Sequence, residues 1–139
     1  MKIFIDSSTF LWAYNRPESN SATIVRLLAD GKLNAVISEK VVEEISHIFL
    51  SVHGHRTWGE VEAIIKSRCA IIPRTEIEHE TKKWRGKIKE KDLEHLATAK
   101  QLAVDFILAF DRDYEPFPEY ITPKQFVKKL GLKPSETEY

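Results

Sequence analysis

Short apolar runs recur along the chain, and each is about the length of one buried strand. They occupy residues 3–5, 35–37, 70–72 and 106–110, and a shorter one lies near 120–121. Several are rich in β-branched residues, and all are continuous rather than alternating with polar residues. Strands covered on both faces of a sheet have this pattern. The pattern therefore predicts a sheet of four or five strands.

Between these runs, apolar residues recur at helical spacing. The spacing predicts helices over residues 21–30, 41–52 and about 90–103, and a shorter helix after the first run. Regular alternation of strands and helices is typical of an α/β domain with a mostly parallel sheet. We expect one such domain over residues 1–133 and a frayed C-terminal tail over residues 134–139.

Three positions have the spacing of a capping box, in which Thr is followed three residues later by Glu or Gln. They are Thr57 with Glu60, Thr75 with Glu78, and Thr122 with Gln125. In this motif the two side chains bond the free backbone N–H groups at a helix start. We therefore expect a helix to begin at each threonine. Pro123 suits the first turn of the last one, which Gly131 ends.

Composition limits the class of protein. The chain has 139 residues and balances 21 Lys and Arg against 21 Asp and Glu, so no protein-wide positive field marks a nucleic-acid partner. A local basic face remains compatible with this balance. Cys69 is the single cysteine, which excludes an internal disulfide and fits a cytoplasmic location. No apolar run approaches the ~20 residues of a membrane helix, so no membrane partner is expected.

Acidic residues follow two predicted strands and lie in the first turns of two predicted helices. They are Asp6 after the first strand, Asp111 and Asp113 after the fourth, Glu43 and Glu44 after Ser38, and Asp92 after Lys89. In a parallel sheet, the carboxyl ends of strands and the amino ends of the following helices share one edge. We expect a carboxylate cluster there. For Asp6 alone, capping of the next helix is the alternative.

Such a cluster repels itself unless some members are protonated or a cation binds. Oxygen ligands suit hard ions, so the expected cofactor is Mg²⁺ or Mn²⁺. A metal held in this way activates water and stabilises charge on a phosphoryl group.

Four segments carry a wider pattern: FIDSS at the start, SEKVVEEISHIF in the first third, KDLEHLATAKQLAVDFILAFDRDYE later, and YITPKQFVKKLG near the end. Together, and in this order, they resemble the PIN-domain family of ribonucleases, which includes the VapC-like toxins of bacterial and archaeal toxin–antitoxin pairs. The resemblance spans almost the whole chain. It implies a PIN-like fold, metal-dependent cleavage of RNA, a homodimer and an antitoxin protein as a further partner.

Carried over by position, the resemblance implies an acidic catalytic and metal-binding set. Its members are Asp6, Glu44, Asp92 and Asp111, with Asp113 as an additional metal ligand. Glu43 is the alternative to Glu44, which is preferred because it directly precedes the apolar Ile45. One departure is Ala109, where the family usually has Thr or Ser. A missing hydroxyl there lowers the expected activity.

Basic residues lie beside these acids. Lys89, Lys91 and Arg112 are the expected contacts to RNA, although a solvated surface is an equal alternative for the lysine-rich stretch from Lys82 to Lys91. Glu94 and His95 are expected to point away from the face of Asp92 and to have solvated or supporting roles.

Other functions also fit parts of the pattern. A non-catalytic PIN-fold module that binds RNA or forms a complex is the main alternative, and Ala109 favours it. A receiver or phosphatase domain would need further acids or a lysine that are not found. Zinc at His47, His53 and His55 is disfavoured because no cysteine accompanies them. An exposed apolar group of Phe10, Leu11 and Trp12 is the expected dimer contact.

Overall fold

The computed structural model describes residues 1–136 and contains one parallel five-stranded sheet. Its strands are β1 (Ile3–Ile5), β2 (Ala35–Ser38), β3 (Cys69–Ile72), β4 (Phe106–Leu108) and β5 (Tyr120–Ile121). They lie in the order β3–β2–β1–β4–β5, and each neighbouring pair is parallel. The predicted α/β class and the predicted parallel sheet of four or five strands are confirmed.

The central strand β1 has only three residues, and both of its faces and both of its long sides are covered. β1 pairs with β2 on one side and with β4 on the other. Ile3, Phe4 and Ile5 are at most 1% exposed. Because both faces of this strand are buried, it needs no alternation of polar and apolar residues.

Seven α-helices flank the sheet in the part of the chain that the structure describes. They are α1 (Ser7–Asn15), α2 (Asn20–Ala29), α3 (Glu39–Val52), α4 (Gly54–Arg68), α5 (Glu78–Trp84), α6 (Glu90–Gln101) and α7 (Pro123–Lys129). Two short 3₁₀ turns occupy Arg74–Glu76 and Arg112–Tyr114. The helices pack in pairs, α1 with α2, α3 with α4, and α5 with α6. Across residues 1–136, no helix has both the length and the apolar surface to cross a bilayer.

Only one of the three predicted capping boxes forms. Thr122 Oγ1 accepts a hydrogen bond from Gln125 N at 3.2 Å, and Gln125 Oε1 accepts one from Thr122 N at 3.0 Å. The box predicted at Thr57 is wrong, because Gly54 with φ of 85° joins α3 to α4 and places Thr57 inside α4. The box predicted at Thr75 is also wrong, because a 3₁₀ turn contains this residue and α5 starts later.

In two helices the buried face differs from the predicted one. Helix α3 exposes residues that the sequence pattern assigned to the core, and helix α1 buries a residue that it assigned to the surface. In α3 a narrow stripe faces the core, so Ile48 and Val52 are 37% and 69% exposed. In α1 the opposite occurs, since Phe10 is only 1% exposed and is part of the core. The predicted apolar surface group is therefore reduced to the half-buried Leu11 and Trp12.

Two element ends differ from the predicted ones. β4 ends at Leu108 rather than Phe110, although Ala109 N still donates to Ile121 O at 3.3 Å. α6 ends at Gln101, and Ala103 then takes a left-handed conformation with φ of 49°. Because β4 ends early, two residues separate Asp111 from the end of the strand. Asp111 Oδ2 accepts a hydrogen bond from Lys91 of α6.

The last described residues contact the body of the domain. Asn20 Oδ1 accepts a hydrogen bond from Ser135 N at 2.7 Å, and Asn20 Nδ2 donates to Ser135 O at 3.1 Å. Residues 137–139 lie outside the described residues. The domain bounds of 1–133 and the frayed tail of 134–139 stay predictions.

Thr57 and Thr122, which share the spacing of a capping box, provide a direct test of the cap. We expect Thr122→Ala to lower the free energy of unfolding by about 1 kcal/mol, because it removes the acceptor for the Gln125 N–H. Thr57→Ala is the matched control. It removes no cap, and alanine favours a helix interior, so the change should lie within about 0.5 kcal/mol of zero. Urea unfolding measures both values, and equal destabilisation would contradict the assignment.

Candidate active site

Asp6 lies at the carboxyl end of the central strand and has two functions. Its backbone N–H donates to Leu108 O at 3.0 Å and so extends the pairing of β1 with β4. Its carboxylate caps α1, accepting from Ser8 N at 3.4 Å and from Ser8 Oγ at 2.8 Å. The residue is 6% exposed. Capping and membership of the acidic cluster are therefore compatible for Asp6.

Asp92 lies in the first turn of α6, at the same edge of the sheet. It is 6% exposed, and burial raises its pKa above the ordinary value, while the hydrogen bond from Lys91 opposes the rise. The nearby carboxylates of Asp111 and Asp6 raise the pKa further. Asp92 therefore gives up its proton less readily than an exposed aspartate.

Asp111 and Asp113 approach Asp92 from the end of β4. Asp111 Oδ1 accepts from Asp113 N at 2.8 Å and caps the 3₁₀ turn that follows. Burial by itself raises the pKa of Asp111, but the hydrogen bonds from Lys91 and from the Asp113 backbone lower it below the ordinary value. One ligand oxygen from each of the three aspartates lies within 4.8 Å of the others.

The ammonium group of Lys91 lies between these carboxylates. Its Nζ is 2.8 Å from Asp92 Oδ2, 2.6 Å from Asp111 Oδ2 and 3.9 Å from Asp113 Oδ2. Burial lowers the pKa of Lys91, but its hydrogen bonds to Asp111 and Asp92 outweigh this effect and raise it. Lys91 is thus a charged counter-ion of the cluster, a role that the sequence pattern did not predict.

The other two basic residues predicted to contact RNA lie at the rim of the cluster. Lys89 Nζ is 3.2 Å from Asp113 Oδ2, and Arg112 Nε is 3.8 Å from Glu115 Oε1. Both side chains are well exposed. Contacts of Lys89, Lys91 and Arg112 with RNA stay predictions.

The two neighbouring glutamates of α3 face different partners. Glu44 Oε1 accepts from His95 Nε2 at 2.8 Å and from Ser7 Oγ at 3.3 Å. Glu43 Oε2 instead accepts from Arg74 Nη2 at 2.8 Å. This geometry favours Glu44 over Glu43 as the member of the acidic set.

His95 was expected to point away from Asp92, and this expectation is wrong. Its Nε2 lies 3.6 Å from Asp6 Oδ1, and ligand atoms of Asp6, Asp92 and His95 all lie within 4.8 Å of one another. The signal was present in the sequence, because residues three apart on a helix share a face. Glu94 does turn aside and accepts from Arg74 Nε at 2.9 Å.

Tyr114 is fully buried and lies within electrostatic reach of the whole set. Burial is the main cause of its strongly raised pKa, and four carboxylates raise it further, those of Asp6, Asp92, Asp111 and Glu44. Its hydroxyl has no hydrogen-bond partner among residues 1–136.

The donor atoms fit a hard divalent cation. Asp92, Asp111 and Asp113 offer carboxylate oxygens at mutual distances suited to one ion, and Asp6 lies alongside. Lys91 lies in the same space, but its side chain is 57% exposed and can move aside. Among the described residues, His47, His53 and His55 belong to no cluster of potential metal ligands.

Comparison with known proteins gives one family and several similar folds. A sequence model of the PIN domain matches residues 3–120. No sequence among curated proteins matches the chain. A toxin–antitoxin complex from Klebsiella pneumoniae includes a chain with 17% identity and a TM-score of 0.70, covering 88% of this chain and 98% of that one.

Two further structures have the same fold. Mycobacterium tuberculosis VapC20, described as a sarcin–ricin loop cleaving toxin, is 19% identical with a TM-score of 0.63, covering 84% of this chain and 95% of that one. VapBC2 from Rickettsia felis, bound to a DNA fragment from its promoter, is 16% identical with a TM-score of 0.61, covering 88% and 97%. At these identities the likeness establishes the fold alone.

Replacing the internal cation tests the charge balance of the cluster. In Lys91→Met, without metal, we expect the pKa values of Asp111 and Asp92 both to rise, because the charge and hydrogen bonds that lower them are lost. Carbon-detected NMR titration of the carboxyl groups measures both. Lys89→Met is the control, since Lys89 contacts Asp113 and should leave Asp92 unchanged.

The same variant has a predicted pH dependence. A lowered folded-state pKa at Asp111 stabilises the wild type above the ordinary pKa of 3.8, and this contribution is lost as pH falls through the folded value. The raised pKa of Asp92 acts with the opposite sign. Relative to wild type, Lys91→Met should therefore lose more stability at about pH 7 than at about pH 4. An equal loss at both would contradict the role of Lys91.

Proposed function

Because the chain belongs to the PIN domain family, we propose that it is a metal-dependent endoribonuclease that hydrolyses phosphodiester bonds in RNA. The observation that carries the proposal is that carboxylates from four separate segments gather at one end of the sheet, in two groups that share Asp92, with Glu44 joined to them through His95. Asp6 follows β1, Glu44 lies on α3, Asp92 on α6 and Asp111 after β4. Four unrelated helix caps would not require this shared position.

In the proposed site, Asp6, Glu44, Asp92, Asp111 and Asp113 hold Mg²⁺ or Mn²⁺. When bound, such an ion activates water and offsets the charge that develops on the phosphate. The chain contributes rigidity, because hydrogen bonds from Ser8 to Asp6 and from Asp113 N to Asp111 fix these carboxylates beforehand. Preorganised groups need little rearrangement during the reaction.

The basic rim supports an RNA substrate. Lys89 and Arg112 are exposed beside the acidic set, and Lys91 has a flexible, half-exposed stem. We assign these three side chains to phosphate oxygens of the RNA backbone, which positions the strand without reading its bases. The net charge of zero makes this local arrangement more important than any long-range attraction.

A weak or inactive PIN-fold module that binds RNA or forms a complex is the second candidate. Two observations favour it. Ala109 is fully buried and offers no hydroxyl where the family usually has one. Lys91 also neutralises part of the acidic set by itself. Metal-dependent cleavage distinguishes the two candidates, since a binding module would retain RNA without cutting it.

An antitoxin is the proposed protein partner. Two of the structures with the same fold are a toxin–antitoxin complex and a VapBC pair. In this proposal the chain is the toxin, is located in the cytoplasm and forms a homodimer. The half-buried Leu11 and Trp12 remain the predicted dimer contacts.

Metal binding should stabilise the folded protein. Mn²⁺ or Mg²⁺ that binds only the folded state adds about 2.7 kcal/mol at one hundred times its Kd. We therefore expect the melting temperature to rise with added Mn²⁺ and to return to its starting value with EDTA, as followed by circular dichroism. A melting temperature that neither addition changes would contradict the metal site.

Asp92 tests the catalytic assignment. Asp92→Asn keeps the shape of the side chain and suits a helix start, but it removes a charge from the site. We expect Mn²⁺-dependent cleavage of a structured RNA to fall by roughly 10²-fold or more, a barrier increase of about 2.7 kcal/mol. Metal-free stability should hold or rise, because repulsion between carboxylates is relieved.

Asp105→Asn is the matched control for this variant. Asp105 directly precedes β4 and therefore lies at the amino ends of the strands, opposite the acidic set. Its Oδ2 accepts a hydrogen bond from Lys2 N at 2.8 Å. Asparagine keeps that acceptor, so cleavage should be unchanged. If Asp92→Asn cleaved RNA as fast as wild type, the acidic set would be wrongly assigned.

A further inference from the structure

His95 joins two of the acidic residues to a helix cap. The residue is 1% exposed, and its ring contacts Phe4 of the central strand with 5.8 Å between ring centroids. Its Nδ1 is 2.8 Å from Ser38 Oγ, and its Nε2 is 2.8 Å from Glu44 Oε1. Both nitrogens of a buried ring are thus used.

The partners determine which nitrogen of the neutral ring carries the proton. Glu44 Oε1 faces two donors, His95 Nε2 at 2.8 Å and Ser7 Oγ at 3.3 Å, and a carboxylate can only accept. Nε2 must then carry the hydrogen, and Nδ1 accepts from the Ser38 hydroxyl. Ser38 Oγ in turn accepts from Val41 N at 3.1 Å, which caps α3.

This chain of hydrogen bonds acts on two carboxylates at once. Nε2 is 2.8 Å from Glu44 Oε1 and 3.6 Å from Asp6 Oδ1, so one N–H faces both acids. Glu44 is the more exposed acid, with 36% of its side chain accessible, and a glutamate on a helix surface has several rotamers. Without the short bond from His95, only the longer 3.3 Å bond from Ser7 Oγ would keep Glu44 from turning toward water, away from Asp6.

We propose that His95 is a positioning residue, whose Nε2–H holds Glu44 against Asp6 so that the metal site is formed before an ion binds. This inference rests on the proposed function, because it takes Asp6 and Glu44 as metal ligands. Hydrogen bonds that orient a ligand commonly change metal affinity by about 10- to 100-fold when lost.

Two other roles for His95 give different results. If Nε2 were itself a ligand together with Asp6 and Asp92, the ring would have to give up its bond to Glu44, and Nδ1 would carry the proton. If His95 only packs against Phe4, its nitrogens do not act on the metal site, and neither amide variant should change the affinity for metal.

Two amide variants separate these roles. In His95→Gln, the side-chain amide reaches the place of Nε2 and can still donate to Glu44. In His95→Asn, the shorter amide reaches only the place of Nδ1 and keeps the contact with Ser38. We expect Mn²⁺ affinity, measured by isothermal titration calorimetry, to fall about 10-fold or more in His95→Asn and to stay within about threefold of wild type in His95→Gln.

Metal-free melting of both variants is the control for packing, since each loses the ring beside Phe4 and should be destabilised to a similar extent. Equal losses of Mn²⁺ affinity in both variants would overturn the proposal in favour of a ligand role. Unchanged affinity in both would overturn it as well, and so would a wild type without Mn²⁺ binding.

A second measurement does not depend on the variants. Long-range nitrogen–proton NMR of the metal-free wild type should find His95 as the Nε2–H tautomer, and the Nδ1–H tautomer would overturn the proposal even if the variants fail to fold. Neither measurement uses RNA. A protein that binds Mn²⁺ as expected but leaves RNA intact would contradict the proposed nuclease function and leave the role of His95 standing.

Discussion

Repulsion between carboxylates at one edge of the sheet is the constraint on which the site depends. A parallel sheet places the ends of β1 and β4 beside the starts of α3 and α6, and acids follow at each place. Each acid is restrained by a different group. These groups are Ser8 for Asp6, the Asp113 backbone for Asp111, His95 for Glu44, and Lys91 for Asp92. The edge therefore tolerates a charge density that unsupported side chains would relieve by turning outward.

Asp92 and Asp111 differ in the direction of their pKa shifts, although both accept a hydrogen bond from Lys91. Lys91 bonds both Asp92 and Asp111, yet the pKa is raised in the first and lowered in the second. The difference follows mainly from burial, because the Asp92 side chain is 8% exposed and that of Asp111 is 29% exposed, and Asp111 also accepts a hydrogen bond from the Asp113 backbone. Burial penalises the charged form of Asp92 more than one ammonium group can offset.

Lys91 connects the electrostatics of the site to the question of activity. The ammonium group of Lys91 stabilises the acidic set in the absence of metal, and in the proposed function a metal would have to displace it from the same oxygens. The basic stretch before α6 thus has a function within the domain, whatever its contact with RNA. Cys69, by contrast, has no part in this chemistry, since burial raises its pKa to about 12 and keeps the thiol protonated.

The sequence by itself determined the features that depend on neighbouring residues. Continuous apolar runs specified the strands, and acids after Ile5 and Phe110 specified the edge that carries the site. The Thr122 cap and the parallel α/β class followed from local pattern as well. Tertiary structure decided whatever depends on distant partners. His95 meets Ser38 and Glu44 across 57 and 51 residues, and Lys91 meets Asp111 across 20. Thr57 has the same local signal as Thr122 but no cap, because the preceding helix junction had already started α4. A local pattern cannot specify which of several equivalent side chains a folded chain brings together.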